Sequence, residues 1–132
     1  MDFDELSGRV IAAAIAVHRA LGQGFMESVY EEALKIEFEA RGIKTEFQKR
    51  VLVSYQGRTV GNHVLDLVVE DALAIELKAV KSFEDIHYAQ LRSYLKATGI
   101  EVGLLMNFNK TRLAVKRVTL EYEPNGPLRA KD

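Results

Sequence analysis

The sequence predicts an α/β fold in which a mixed central sheet is flanked by helices. Two observations point there. Apolar residues recur at helical spacing near the start, again after Gly24 and again after Lys81, and at strand spacing or in short continuous runs elsewhere. The elements also fall in the order helix, helix, three strands, helix, strand, strand. A meander followed by a crossover helix and a further strand makes a mixed sheet. At 132 residues the chain can bury a sizeable core. One domain is expected over residues 1–123, ahead of a polar tail over 124–132 that should fray.

The first helix is expected from about Phe3 to Leu21, with Leu6, Val10, Ala13, Ala14 and Val17 at helical spacing, and Gly22 and Gly24 to stop it. A second helix should run from Glu27 to about Ala40, its apolar positions being Val29, Ala33, Leu34, Ile36 and Phe38, with Arg41-Gly42 at its end. Thr45 to Tyr55 reads as a strand with Phe47, Val51, Val53 and Tyr55 on alternate positions, and Gln56-Gly57 as the turn into a second strand opened by Arg58. The pattern returns to a helix from about Phe83 to Ala97, closed by Gly99. Strands over Val102–Asn107 and Leu113–Leu120 follow.

Composition excludes several classes. Hydrophobic residues make up 48% and charged residues 28%, as in ordinary globular domains. There is no cysteine, so disulfides, thiolate zinc sites and cysteine-held iron–sulfur clusters are out. No run approaches the ~18 apolar residues that span a bilayer, so no membrane partner is expected. The acidic start Met1-Asp-Phe-Asp-Glu5 has no positive n-region, and a cytoplasmic location is the expectation. The net charge of −1 argues against a generic polyanion binder, although residues 1–43 carry a net of −4 and residues 44–132 a net of +3. A positive face on the strand-rich part and evenly solvated charges both fit that asymmetry. His18 and His63 lack zinc-ligand spacing and read as structural. Gly22-Gln-Gly24 lacks the flanking strand and G-K-[ST] of a phosphate loop.

The segment from His63 to Val80 carries the candidate chemistry. It reads as two apolar strands joined at Glu70-Asp71, and a hairpin centred near Asp71 puts Asp66 across from Glu76. Glu76 and Lys78 share a face because strand side chains alternate, and a slip of one residue would separate the acids. Two carboxylates and an ammonium on a sheet of Val, Ile and Leu are costly to bury. Such a group usually holds a hard cation. The alternative is a pair of exposed acids at a hairpin end.

An aspartate on the second strand and Glu76-Leu-Lys78 on the third, within this element order, resembles the PD-(D/E)xK nuclease superfamily. Gly24-Phe-Met-Glu27-Ser-Val-Tyr30 spells G-x-x-E-x-x-Y, the signature of a small bacterial family of that name assigned to the superfamily. Val17-His-Arg-Ala-Leu-Gly22, Glu76-Leu-Lys-Ala79 and Ala89-Gln-Leu-Arg-Ser-Tyr94-Leu also match, so the resemblance spans about residues 8–120. One departure is that Leu65, not proline, precedes Asp66.

The resemblance implies a restriction-endonuclease-like core (αβββαβ) with an extra N-terminal helix, and metal-dependent hydrolysis of phosphodiester bonds in DNA or RNA. Asp66, Glu76 and the backbone carbonyl of Leu77 would hold Mg²⁺ or Mn²⁺, with Glu27 as a further ligand, direct or through water. The cation would polarise a phosphodiester oxygen and activate water. Lys78 would steady the attacking water and the phosphate charge, or serve only as an ion pair. Glu27 equally suits the positive end of a helix. Gln90 and Tyr94 form the Q-x-x-x-Y that follows E-x-K in RecB-like nucleases, and His87 lies on the same stripe. Gln90 would touch the metal site, while Tyr30, Tyr94 and His87 would meet substrate, packing being the alternative for both tyrosines and simple exposure for His87. A nuclease cutting both strands at this size is expected to form a homodimer. The rival reading is a nuclease-fold module that binds nucleic acid or a protein without cutting.

Overall fold

A computed structural model describes residues 3–120. The expected tail over 124–132 lies outside the described residues. Helix α1 spans Phe3–Leu21 and α2 spans Glu27–Ala40; strands β1 (Thr45–Tyr55), β2 (Arg58–Val69) and β3 (Leu73–Lys78) follow, then α3 (Asp85–Thr98), β4 (Val102–Asn107) and β5 (Ala114–Thr119). The five strands stand in the order β1-β2-β3-β4-β5. Only β3 and β4, joined by α3, run parallel; the other neighbours are antiparallel. The mixed α/β fold expected from the sequence is the one observed.

The sheet separates two cores. On one face, α1 buries Leu6, Val10, Ala13, Ala14 and Val17, the five positions expected, against Leu67, Ile75, Leu77 and Met106. Helix α2 differs from expectation: its buried stripe is Tyr30, Leu34 and Phe38, whereas Val29 and Ile36 are exposed. One stripe of a single amphipathic helix, spaced four residues apart, can meet the sheet, and tyrosine claims a place on it. On the other face, α3 lays Leu91 and Leu95 on Val68, Ala74 and Leu105. That helix lies close, because a Cβ on Gly103 of β4 would sit 2.9 Å from Leu91 Cδ2. Strand β4 is buried at all six positions, as a strand covered on both faces must be.

Helix α3 begins at Asp85, not Phe83, because His87 Nδ1 accepts the Glu84 N–H (3.0 Å) and closes the helix start. His18 is structural, as expected. It is buried, and its Nε2 lies 3.1 Å from the Phe108 carbonyl and 2.9 Å from that of Lys110, tying α1 to the β4–β5 loop. No helix among the described residues is long and apolar enough to cross a membrane.

The β1–β2 hairpin is much longer than the strand it joins. β3 pairs only with Leu67–Val69, so both strands continue beyond it as an arm. The arm turns at Gln48, whose positive φ of 55° interrupts the pairing directly across from Asp66. Before this break Phe47 and Leu67 pack on the α1–α2 side; beyond it Val51 and Leu65 belong to the α3 side. The single alternating face expected for Phe47, Val51, Val53 and Tyr55 is therefore not what forms: Tyr55 is exposed and Val51 lies in the opposite core from Phe47.

Candidate active site

The β2–β3 register runs Val69↔Leu73, Val68↔Ala74, Leu67↔Ile75, which carries Asp66 to a position opposite Glu76, as the hairpin centred on Asp71 requires. The backbone ladder stops at Leu67 and Ile75, and side chains take over. Asp66 Oδ2 accepts the Leu77 N–H at 2.7 Å, and the Asp66 N–H makes a long contact of 3.4 Å to Glu76 Oε2. Val68 and Ala74 face α3, so alternation puts Glu76 and Lys78 on that same face, while Asp66 stands opposite Glu76 at the break in β1–β2 pairing.

Glu76 is only 8% exposed. Its carboxyl is pushed up to about 8, first by burial, then by the Asp66 charge and a side-chain hydrogen bond with Asp66, with the Lys78 ammonium pulling the other way. The two acids stand where a bound cation would offset the burial and charge that raise Glu76. Lys78, half-buried, is the cation the chain itself supplies.

Glu27 reaches the same end of β3 from α2: its Oε2 accepts the Ala79 N–H at 3.1 Å, one residue past Lys78. Glu31 lies one helical turn on. Its carboxylate accepts Gln48 Nε2–H at 2.8 Å and is held above the usual range by burial and by Asp66. Glu31 and Gln48 were not expected in the neighbourhood of Asp66. The i, i+4 spacing of Glu27 and Glu31 was a readable sign for the first; the backbone conformation of Gln48 has no sequence signature.

Asn107 was also missed. It is fully buried at the end of β4, where its Nδ2–H donates to the Val80 carbonyl (2.8 Å) and its Oδ1 accepts the N–H groups of Val80 (3.1 Å) and Asn109 (3.0 Å). These bonds fix the chain as it leaves Lys78.

From α3, Tyr94 is half-buried and its hydroxyl is raised by burial and then by the charges of Glu76 and Asp66, which lie within electrostatic reach of it. Gln90 is exposed and makes no hydrogen bond among the described residues. His87 caps its own helix, as described above. Tyr30 is fully buried; its O–H donates to the Gly22 carbonyl (2.6 Å) and accepts the Phe25 N–H (3.2 Å), and its ring stacks on Phe108 at 4.5 Å. A side chain with no exposed surface cannot meet a substrate, so Tyr30 is corrected from a binding residue to the brace of the α1–α2 loop. The structure thus gathers Asp66, Glu76, Leu77, Lys78, Glu27 and Tyr94, and leaves Tyr30 and His87 outside.

The donor set suits a hard cation of the Mg²⁺ type, which is commonly held by one or two carboxylates and its own waters. Among the described residues no three His, Asp or Glu side chains form a closed cage. The Leu77 N–H points into the gap between β2 and β3. In a strand N–H and C=O of one residue leave on the same side, so its carbonyl faces the gap too.

Comparisons with known proteins agree with this geometry. A family model described as the PD-(D/E)XK nuclease superfamily matches residues 4–118. The crystal structure of the protein SSO0001 superposes with a TM-score of 0.57 at 18% identity, over 73% of this chain and 50% of that one. That of an alkaline exonuclease from Laribacter hongkongensis gives 0.52 at 12% identity, over 82% of this chain and 67% of that one. The chain therefore spans half the length of the first. Identities this low show a shared fold, which is the restriction-endonuclease-like core expected. No curated protein sequence matches the chain.

Proposed function

The chain belongs to the PD-(D/E)XK nuclease superfamily, and from that premise we propose that it hydrolyses phosphodiester bonds of nucleic acid with a divalent cation, Mg²⁺ or Mn²⁺. The observation that carries this is the opposed Asp66–Glu76 pair with Lys78 beside it: two acids facing each other at the end of a sheet ladder, the second of them buried, next to one ammonium. Asp66 and Glu76 would hold the cation, with the Leu77 carbonyl and Glu27 in support. The cation supplies Lewis acidity toward a phosphodiester oxygen and water.

Lys78, beside the acids, offsets the negative charge that grows on the phosphate and acts as an electrostatic stabiliser. Glu27 holds the Ala79 N–H and thereby the backbone next to Lys78. Gln90 and Tyr94 border the substrate side from α3. Within the superfamily we place the chain in the GxxExxY group: Gly24 adopts a φ of 113°, Glu27 binds β3 and Tyr30 braces the loop between them.

The second reading, a module that binds without cutting, draws on one observation, the exposed Gln90 that makes no bond to the acids. Wild type and Asp66→Ala incubated with single- and double-stranded DNA and RNA, in Mg²⁺, Mn²⁺ or EDTA, separate the two. Metal-dependent cutting by wild type that the variant lacks supports the nuclease. Equal cutting by both reports contamination, and no cutting with cation still bound favours the module. Sedimentation of wild type with a duplex substrate tests the homodimer expected of a two-strand cutter.

A further inference from the structure

A cleft of about 650 Å³ lies between the hairpin arm and α3, lined by Leu52, Val53, His63, Ser93, Tyr94 and Lys96. That volume falls in the range of ligand-binding clefts. Two rings of its lining lie against each other: His63 and Tyr94, with centroids 5.1 Å apart and planes tilted by 49°. His63 stands three residues before Asp66 on β2, about 10 Å along the strand at ~3.3 Å per residue. Tyr94 also feels the charges of Glu76 and Asp66. Tyr94 thus lines the cleft and stands within the electrostatic reach of the acids.

The chemistry of the walls is specific. Between Lys49 and Leu65 the arm carries three basic side chains, Lys49 (paired with Glu46 at 3.3 Å), Arg50 and Arg58, and no acidic one. Helix α3 carries Arg92 and Lys96 against one acid, Asp85 in its first turn, and Lys96 lines the cleft itself. In a chain of net charge −1 this is a local concentration of positive charge. Leu52 is 54% exposed at the cleft, an apolar surface that water does not favour.

We propose that the cleft between the β1–β2 arm and α3 seats an unpaired polynucleotide strand, its bases stacking on Tyr94 and His63 and its backbone led along β2 to Asp66. The inference rests on the nuclease reading for its direction toward the acids. Aromatic faces and apolar floor accept any unpaired base, while the flanking cations follow the backbone. A duplex has its bases already stacked and offers the rings nothing. An apolar peptide would leave the cationic walls unmatched.

The test is fluorescence anisotropy in EDTA, with labelled oligothymidylate, oligouridylate, an abasic strand and a duplex, each of about 15 nucleotides, the upper end of site sizes for strand-binding folds. Wild type should bind the base-bearing strands about tenfold more tightly than the abasic strand. Tyr94→Leu should lose about that factor, and Tyr94→Phe should keep it. His63→Ala, a change at an exposed position, should weaken binding in the same sense and serves where Tyr94→Leu melts early. Thymidylate against uridylate reads the sugar preferred. Equal binding of abasic and base-bearing strands, tighter binding of the duplex, or no loss in either the Tyr94→Leu or the His63→Ala variant would overturn the proposal. Cutting activity reports separately. Cutting without base-dependent binding removes the cleft and leaves the nuclease; base-dependent binding without cutting does the reverse.

Discussion

Asp66 Oδ2 accepts the Leu77 N–H at 2.7 Å, at the point where the β2–β3 ladder ends. A carboxylate stands where a strand carbonyl would otherwise be, so one residue both closes the sheet and faces Glu76. Asp66→Asn separates these roles. The amide oxygen can still accept the Leu77 N–H, while the charge opposing Glu76 is gone. The variant should be inactive, with a loss of a hundredfold or more, yet at least as stable as wild type in EDTA at pH 8. Urea unfolding beside a nuclease assay checks both; a variant that is inactive because it is destabilised would show that the carboxylate is chiefly a sheet residue.

Stability without divalent cation should fall as pH rises. The folded carboxyl of Glu76 is pushed up to about 8, above the ordinary glutamate value of 4.5. Its protonated form is the one the fold favours, so its contribution is fully present below about 4.5 and lost as pH climbs through about 8. At ~1.4 kcal/mol per pKa unit the loss is at most on the order of a few kcal/mol. Urea midpoints from pH 5 to 9 in EDTA should decline for wild type and stay flatter for Glu76→Gln, which keeps the volume and never ionises. A wild-type midpoint that climbs across that window would contradict the raised, buried carboxyl of Glu76.

A divalent cation should reverse that slope. Binding favours the ionised pair and must release the proton that Glu76 holds, so affinity should increase from pH 6 to pH 8. At a cation concentration of 100 times Kd the stabilisation is about 2.7 kcal/mol. Thermal melts with and without Mg²⁺ at the two pH values measure it. Asp66→Asn should show no cation-dependent rise at either pH; an equal rise in the variant would put the cation elsewhere.

The hairpin could be read because a tight turn and strict alternation leave one register in which Asp66 meets Glu76. Helices α1 and α3 were readable for the same reason, since each has one apolar stripe. What could not be read depends on tertiary choices. Tyr30 could pack or face substrate, and only the position of Phe108 settles it. Val29 and Ile36 look like core residues until the Tyr30–Leu34–Phe38 stripe takes the sheet. Gln48 looks like an ordinary strand residue, and nothing in its local sequence announces the positive φ that breaks the pairing opposite Asp66. Asn107 gives no local sign, because two of its three side-chain bonds go to Val80, 27 positions earlier.

That buried amide leads to the last prediction. Asn107 holds both the N–H and the carbonyl of Val80, two residues beyond Lys78, and also the N–H of Asn109. Asn107→Ala leaves these backbone groups without their partner, and unsatisfied buried groups cost about 1–3 kcal/mol each. Water entering the vacated space offsets part of that, so a net loss of about 2–4 kcal/mol is expected. Asn107→Asp keeps the acceptor for Val80 and Asn109 but sets a carboxylate against the Val80 carbonyl, and should lose nearly as much. The two variants part in activity. At a temperature where each remains folded by circular dichroism, Asn107→Ala should cut more slowly than wild type by tenfold or more, because the segment carrying Lys78 is no longer pinned. Undiminished cutting by the folded Asn107→Ala protein would mean that β3 alone positions Lys78, and that Asn107 contributes only to stability.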